Sequence, residues 1–287
     1  MGKKAIKLTE SELKEMIVDA VKQVLNEGIK VRYGKDKDFV TFDDSKDGLL
    51  DEIVKDKFKL PNSELVIDIY SMFKRVNGVG GRDANPLLFA LKDDAEKSRW
   101  VLENPDAFWR RFSELVEMFL QDHPLDKVVV LPSTHGVNEK FAQKISQLSP
   151  NTKIYDGFLA KKTVSEIKAM AYEPTSFFRK YWWERGGEDG VKEAYLKLEQ
   201  YLSAMKNGIF SYTDIPDMEF RKSLTNTLKL TDQGRTYCNE INGKDILLLD
   251  DSIAAGQTVE SAINALKTCY EPKSISLITI FSKKYPK

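Results

Sequence analysis

The stretch ILLLDDSIAAGQT, residues 246–258, sets an apolar run directly before two adjacent carboxylates, Asp250 and Asp251, and a turn of small residues directly after them. A continuous apolar run without alternation is how a strand buried on both faces of a parallel sheet reads. Downstream, Val259, Ala262, Ile263 and Leu266 recur at helical spacing and ISLITIF (275–281) is a second apolar run, so the segment predicts strand, helix, strand. Upstream, KVVVLP (127–132), the turn STHG and a helix carrying Phe141, Ala142, Ile145 and Leu148 repeat the pattern, and KIYDGFLA (153–160) fits the next strand. Such succession predicts an α/β chain whose parallel sheet is covered by helices on both faces.

In a parallel sheet, ligands collect at the carboxyl ends of the strands, which is where Asp250 and Asp251 fall. The turn Ala254, Ala255, Gly256, Gln257, Thr258 opens the following helix, so its backbone N–H groups and the helix dipole converge on one point beside the Thr258 hydroxyl. Small side chains let a phosphate approach that backbone, and Gly256 can adopt positive φ. The carboxylates, being negative, must hold something neutral or cationic next to the phosphate: ribose hydroxyls, or a hydrated divalent metal. A phosphate in the turn and a diol on the acids together describe a ribose 5-phosphate. The plainer alternative, an acidic strand end with an ordinary helix cap, accounts for neither the second acid nor the small-residue turn.

Composition narrows the partners. Lys plus Arg and Asp plus Glu are equal at 44 each in 287 residues, so no global field favours nucleic acid or an anionic membrane. Two cysteines, Cys238 and Cys269, are too few for a disulfide framework, and with His123 and His135 they assemble no zinc-ligand spacing. The opening MGKKAIKLTESELKE has no secretory apolar core, Ile6 spoils the myristoylation pattern that Gly2 begins, and no apolar run is long enough to span a bilayer. A soluble cytoplasmic protein with a small phosphorylated ligand, and neither membrane nor nucleic acid as partner, is the expectation.

Residues 9–27 read as an amphipathic helix with Thr9 and Glu12 as a capping box, giving an N-terminal helical extension at 1–28. It packs on the parent domain, or serves homo-oligomer or partner docking. VRYGKDKDFVTF (31–42) fits a hairpin, and DDSKDG after it lacks the spacing and the Glu of a calcium loop. SELVIDIYSMFKRV, PLLFALKDD and FWRRFSELVEMFLQ make 29–125 a mainly helical region, with NGVGGRD between them a connection. The core then occupies 126–287, interrupted by a helical insertion at about 161–218. The insertion's aromatics, Tyr172, Phe177, Phe178, Tyr181, Trp182 and Trp183, suit a small helical core, or a surface on which a nucleobase acceptor stacks.

The acid-pair segment resembles the phosphoribosyl-pyrophosphate signature of the type I phosphoribosyltransferases: an apolar strand, two adjacent acids, an apolar residue and a loop ending in Gly-x-Thr. With LPSTHGVNEKFAQKIS (131–146), PLLFALKDD (86–94) and GRTYCNEINGKDILLLDDS (234–252), the pattern is most similar to the ComF-like branch, on which Lys92, Pro132 and Asn138 occupy recurring positions. The similarity covers roughly residues 86–160 and 219–287. It implies a Rossmann-like phosphoribosyltransferase core and transfer of a phosphoribosyl group from phosphoribosyl pyrophosphate to a nitrogen acceptor, a nucleobase or the like, with release of pyrophosphate. Asp250 and Asp251 would act on the ribose and on Mg2+, residues 254–258 on the 5-phosphate, and Ser133, Thr134, His135 and Gly136 on the pyrophosphate. Members often carry a basic residue and paired glycines in that second loop, whereas STHG offers only His135 as a cation. Arg235, with Arg221, Lys222 and Lys229, either supplies the missing charge or forms a solvated basic face. A non-catalytic sensor of phosphoribosyl pyrophosphate or of a nucleotide, built on the same fold, is the alternative function.

Overall fold

The structure, a computed structural model, describes residues 29–33, 35–42, 53–76, 86–91, 100–133, 136–205, 207–253, 256–269 and 271–285. The N-terminal helix expected at 9–27, the segments DDSKDG and NGVGGRD, and Lys92 lie outside the described residues.

Among the described residues, six strands build the central sheet: β3 (Val54–Lys59), β4 (Val66–Val76), β6 (Lys127–Val130), β7 (Lys153–Tyr155), β10 (Asp245–Ser252) and β11 (Ser274–Tyr285). Their spatial order is β3-β4-β11-β10-β6-β7. Every pairing is parallel except that of β3 with β4, which places one antiparallel strand at an edge.

Alternate residues of the strands feed two separate cores, one on each face of the sheet. Leu247 and Leu249 of β10 join Val128 and Val130, Ile278 and Ile280, and Tyr70 and Met72 on one face. That face is covered by α1 (Pro86–Leu91), α2 (Pro105–Asp122) and α3 (Val137–Leu148), through side chains such as Phe112, Leu115, Phe119, Phe141 and Ile145. Ile246 and Leu248 join Val129, Leu277, Ile67 and Ile69 on the other face. There α9 (Gln257–Lys267) packs Val259, Ala262, Ile263 and Leu266 against them. Both parities of each central strand are therefore apolar, as a sheet sandwiched between helices requires.

The expectation of a mainly helical 29–125 is corrected. The hairpin at 31–42 is present as β1 (Ile29–Tyr33) and β2 (Asp38–Phe42), with β5 (Trp100–Leu102) alongside β2. VIDIYSMFKRV is β4, a strand of the main sheet and not a helix. Its apolar residues occupy both parities because Ile67 and Ile69 face one core and Tyr70 and Met72 the other, so no period of two survives in the sequence. The parallel sheet consequently draws strands from before residue 126.

β8 (Leu159–Lys161) and β9 (Leu228–Leu230) pair antiparallel as a two-stranded stalk, and between them lies the helical insertion. It comprises α4 (Val164–Tyr172), α5 (Phe177–Ala204), a short 3-10 turn (Tyr212–Asp214) and α6 (Met218–Ser223), so it runs past the expected boundary at 218. It has a core of its own, built on Ile167, Phe178, Leu198, Phe210, Ile215, Phe220 and Leu224. The Thr163 and Glu166 side chains form a full capping box at the start of α4. Gly187 breaks α5 in two at φ 59° and ψ −146°, a conformation open only to glycine. α7 (Asp232–Thr236) and α8 (Cys238–Ile241) then lead the chain back to β10. No helix among the described residues is long and apolar enough to cross a membrane.

Candidate functional site

The connections leaving β6 and β10 run in opposite directions. From β6 the chain passes through α3 to β7 on one side, and from β10 through α9 to β11 on the other. The helices lie on opposite faces, so adjacent strands part company at their carboxyl ends, and this is the topological switch point at which open α/β sheets hold ligands. The last rung of the shared ladder is Leu131 N donating to Leu249 O at 2.9 Å. Beyond it the described residues 131–133 and Gly136 form one bank of a crevice, and residues 250–253 with Gly256 the other.

The banks are built alike. Each ends in a left-handed glycine at the N-cap, Gly136 at φ 68° and Gly256 at φ 79°, and neither α3 nor α9 has a side-chain cap on its first turn. The opening N–H groups of both helices are thereby left for another partner, and the helix dipole favours an anion there. The close approach at Gly256 has a further cause: a Cβ on it would meet Phe58 Cε1 at 2.4 Å, so the β3 aromatic ring packs directly on the turn. Gly136 faces open space. The hairpin loop between β3 and β4 is latched onto α9, where buried Glu260 accepts from Asn62 N at 3.0 Å and from Asn62 Nδ2 at 2.9 Å.

Asp250 and Asp251 are half-buried at the end of β10. Strand alternation sends them toward opposite faces of the sheet, Asp250 on the parity of Ile246 and Leu248, Asp251 on that of Leu247 and Leu249. Asp250 Oδ1 accepts from Asp251 N at 3.0 Å and from Asn138 Nδ2 at 3.1 Å, and Asp251 Oδ1 accepts from Ser252 Oγ at 2.7 Å. In register with Asp250 across the sheet stand Thr279 and Ser71, whose buried hydroxyls lie 2.8 Å apart. Three buried side-chain atoms on the first turns have no hydrogen-bond partner: Asn138 Oδ1 and Glu139 Oε2 on α3, Gln257 Nε2 on α9. Buried polar atoms are nearly always paired, so orphans gathered at two helix starts single out this end of the sheet as the candidate site.

Of the residues singled out in the sequence, Asp250, Asp251, Gly256, Gln257, Thr258 and Gly136 thus share the switch-point crevice, and Ser133 lies on its β6 bank, half-buried. Ala254, Ala255, Thr134 and His135 lie outside the described residues. Arg235 is exposed and pairs with Asp232 at 3.4 Å within α7. The other basic candidates also have local partners: Arg221 Nε donates to Ile215 O at 2.6 Å, Lys222 pairs with Glu219 at 2.8 Å, and Lys229 pairs with Glu166 at 2.5 Å. Lys229 and the Thr163 backbone together hold the Glu166 carboxyl down to about 2. The aromatics of the insertion divide: Phe178 and Tyr181 are buried and Trp182 packs with them, while Tyr172, Phe177 and Trp183 are exposed. Tyr181 is pushed up to about 12, first by burial and then by its hydrogen bond to Glu219.

Sequence reasoning missed the Asn138 amide as a bridge to Asp250, the Ser71 and Thr279 hydroxyls, and the Phe58 and Asn62 contacts to the start of α9. A polar residue inside an apolar strand, Ser71 in β4 or Thr279 in β11, is the one signal that pointed to them. No family model matches the chain, and no curated protein matches it either.

Proposed function

We propose that the chain is a phosphoribosyltransferase of the type I kind, binding phosphoribosyl pyrophosphate at the crevice between β6 and β10 and passing its phosphoribosyl group to a nitrogen acceptor. The observation that carries this reading is the immediate succession, at the carboxyl end of β10, of two carboxylates and a helix start capped by left-handed Gly256 with no side chain in the cap. One short segment can then grip a 5-phosphate through N–H groups and the ribose hydroxyls through carboxylate oxygens. The fold supports it at the coarser level of a largely parallel α/β sheet with a switch point.

In the reaction the acceptor nitrogen bonds to the anomeric carbon as the bond from that carbon to the pyrophosphate oxygen breaks. Positive charge grows on the sugar and negative charge on the leaving group. Asp250 and Asp251 orient the ribose through its hydroxyls and supply negative potential, so their contribution is positioning and electrostatic rather than covalent. Magnesium suits these residues as a hard cation that takes one or two carboxylates beside ligand phosphates, and no group of three His, Cys, Asp or Glu side chains offers a cage of its own among the described residues. Once bound, it would neutralise phosphate charge. The first turns of α3 and α9 begin without a side-chain cap, so their N–H groups suit the phosphate oxygens at either end of the ligand.

A second reading, a non-catalytic sensor of phosphoribosyl pyrophosphate or a nucleotide, is favoured by the local partners of Arg221, Lys222, Lys229 and Arg235, which occupy the cations that the sequence offered for the pyrophosphate. Pyrophosphate release measured with a panel of nucleobases separates the two. Release with at least one base supports the transferase, and binding of phosphoribosyl pyrophosphate without release for any base supports the sensor.

A further inference from the structure

We propose that Asn138 is a positioning residue that sets the orientation of the Asp250 carboxylate and the spacing of the two banks of the crevice. The proposal rests on the crevice being the phosphoribosyl-pyrophosphate site. Asn138 is the second residue of α3 and only 1 % exposed. Its Nδ2 donates to Leu131 O at 2.9 Å and to Asp250 Oδ1 at 3.1 Å. Both partners are pure acceptors, so the amide must present its nitrogen to them, and its two protons serve one acceptor each. The Oδ1 atom is then left buried and without a partner.

A buried acceptor without a partner opposes folding, so the amide's own hydrogen-bond balance does not explain its place here. What the amide achieves is a connection. Leu131 N closes the last rung of the ladder on Leu249 O, and Leu131 O, Asn138 Nδ2 and Asp250 Oδ1 continue that zipper one step further, beyond the point where the strands part. Asp250 Oδ1 thereby takes one donor from its own strand end, Asp251 N, and one from the opposite bank. Two donors from different directions fix the carboxylate plane, and outer partners that orient a functional carboxylate typically matter by about 10–100-fold when removed.

The test has two arms. In the first, calorimetry in magnesium buffer measures phosphoribosyl pyrophosphate and inorganic phosphate binding to the wild type and to Asn138→Ala. The expected result is a loss of about tenfold or more for phosphoribosyl pyrophosphate, with phosphate affinity, which needs α9 and not the acids, unchanged within about twofold. Equal affinities for phosphoribosyl pyrophosphate in the two proteins, or an equal loss for both ligands, would overturn the proposal. The second arm needs neither ligand nor a variant at Asn138: side-chain amide exchange by NMR in the unliganded wild type and in Asp250→Ala. Both Nδ2 protons should be protected in the wild type and one should lose protection in the variant. Solvent-rate exchange of both protons in the wild type, or no change in the variant, counts against the contact. If the wild type binds no phosphoribosyl pyrophosphate, the functional reading is what fails, and the exchange arm decides the Asn138 contact by itself.

Discussion

The switch-point crevice and the helical insertion treat their polar groups in opposite ways. In the insertion, charged and hydroxyl groups find partners close by: Lys168 and Tyr172 on Glu199, Arg185, Lys222 and Tyr181 on Glu219, Lys229 on Glu166. Trp182 Nε1 is the exception there among the described residues. At the crevice two helices begin without side-chain caps and three buried polar atoms have no partner. A local, satisfied region is a stability element, and unpaired donors and acceptors at the end of a sheet are what the proposed ligand site requires.

That contrast can be broken most forcefully from the insertion side. Phe220 is fully buried among Phe178, Trp182 and Tyr201. Phe220→Ala should cost about 3–5 kcal/mol in chemical denaturation, and at temperatures where the variant remains folded it should leave phosphoribosyl-pyrophosphate affinity within a few-fold. A parallel collapse of binding would make the insertion part of the site. Next comes the latch on α9. Glu260→Ala removes two hydrogen bonds that the exposed Asn62 donates to a carboxylate and should cost about 2–3 kcal/mol, read in the same denaturation experiment, with the hairpin that carries Phe58 loosened against Gly256.

Within the crevice the two N-cap glycines have different surroundings. Gly256→Ala meets both a positive φ and the Phe58 ring, so it should destabilise by about 2–3 kcal/mol and weaken phosphate binding. Gly136→Ala meets only the positive φ, and about 1 kcal/mol is expected. Equal costs at the two positions would show that Phe58 does not press on the turn.

The smallest effect concerns pH. Glu166 is depressed to about 2, so its contribution is present above the ordinary carboxylate range and is lost as pH falls from about 4.5 toward 2. Because the Lys229 and Glu166 side chains are each 39 % exposed, the loss should stay under about 1 kcal/mol. Tyr181 is raised, so its share is present below about 10 and is lost as pH climbs toward about 12. Fluorescence of the insertion's tryptophans across both windows reports these steps.

Much of the central sheet could be read directly from the sequence. VVV in β6 and ILLL in β10 are unbroken apolar runs, and ISLITIF in β11 is apolar apart from Ser276 and Thr279, because helices cover both faces, and the stripe on α9 faces one core. The same physics hid β4: a strand apolar on both parities and 11 residues long cannot be told from a buried helix by periodicity. The acid pair and the glycine turn were legible because their chemistry is contiguous. Asn138 and Asp250 are 112 positions apart, and Ser71 and Thr279 are 208 apart, so their meeting depends on strand order, which local pattern does not encode. The local pairing of the basic residues was illegible for a related reason, since Glu166 and Lys229 meet only once β8 and β9 form the stalk.

On the proposed function, the carboxyl end of β10 recognises a ribose 5-phosphate ester. The most direct test of this is calorimetric titration of phosphoribosyl pyrophosphate in magnesium buffer into the wild type and into Asp251→Asn, with circular dichroism confirming an unchanged fold. Saturable binding to the wild type, weakened by about a hundredfold in the variant, is the predicted result. Indistinguishable binding by the two proteins, or no binding by the wild type, would contradict it.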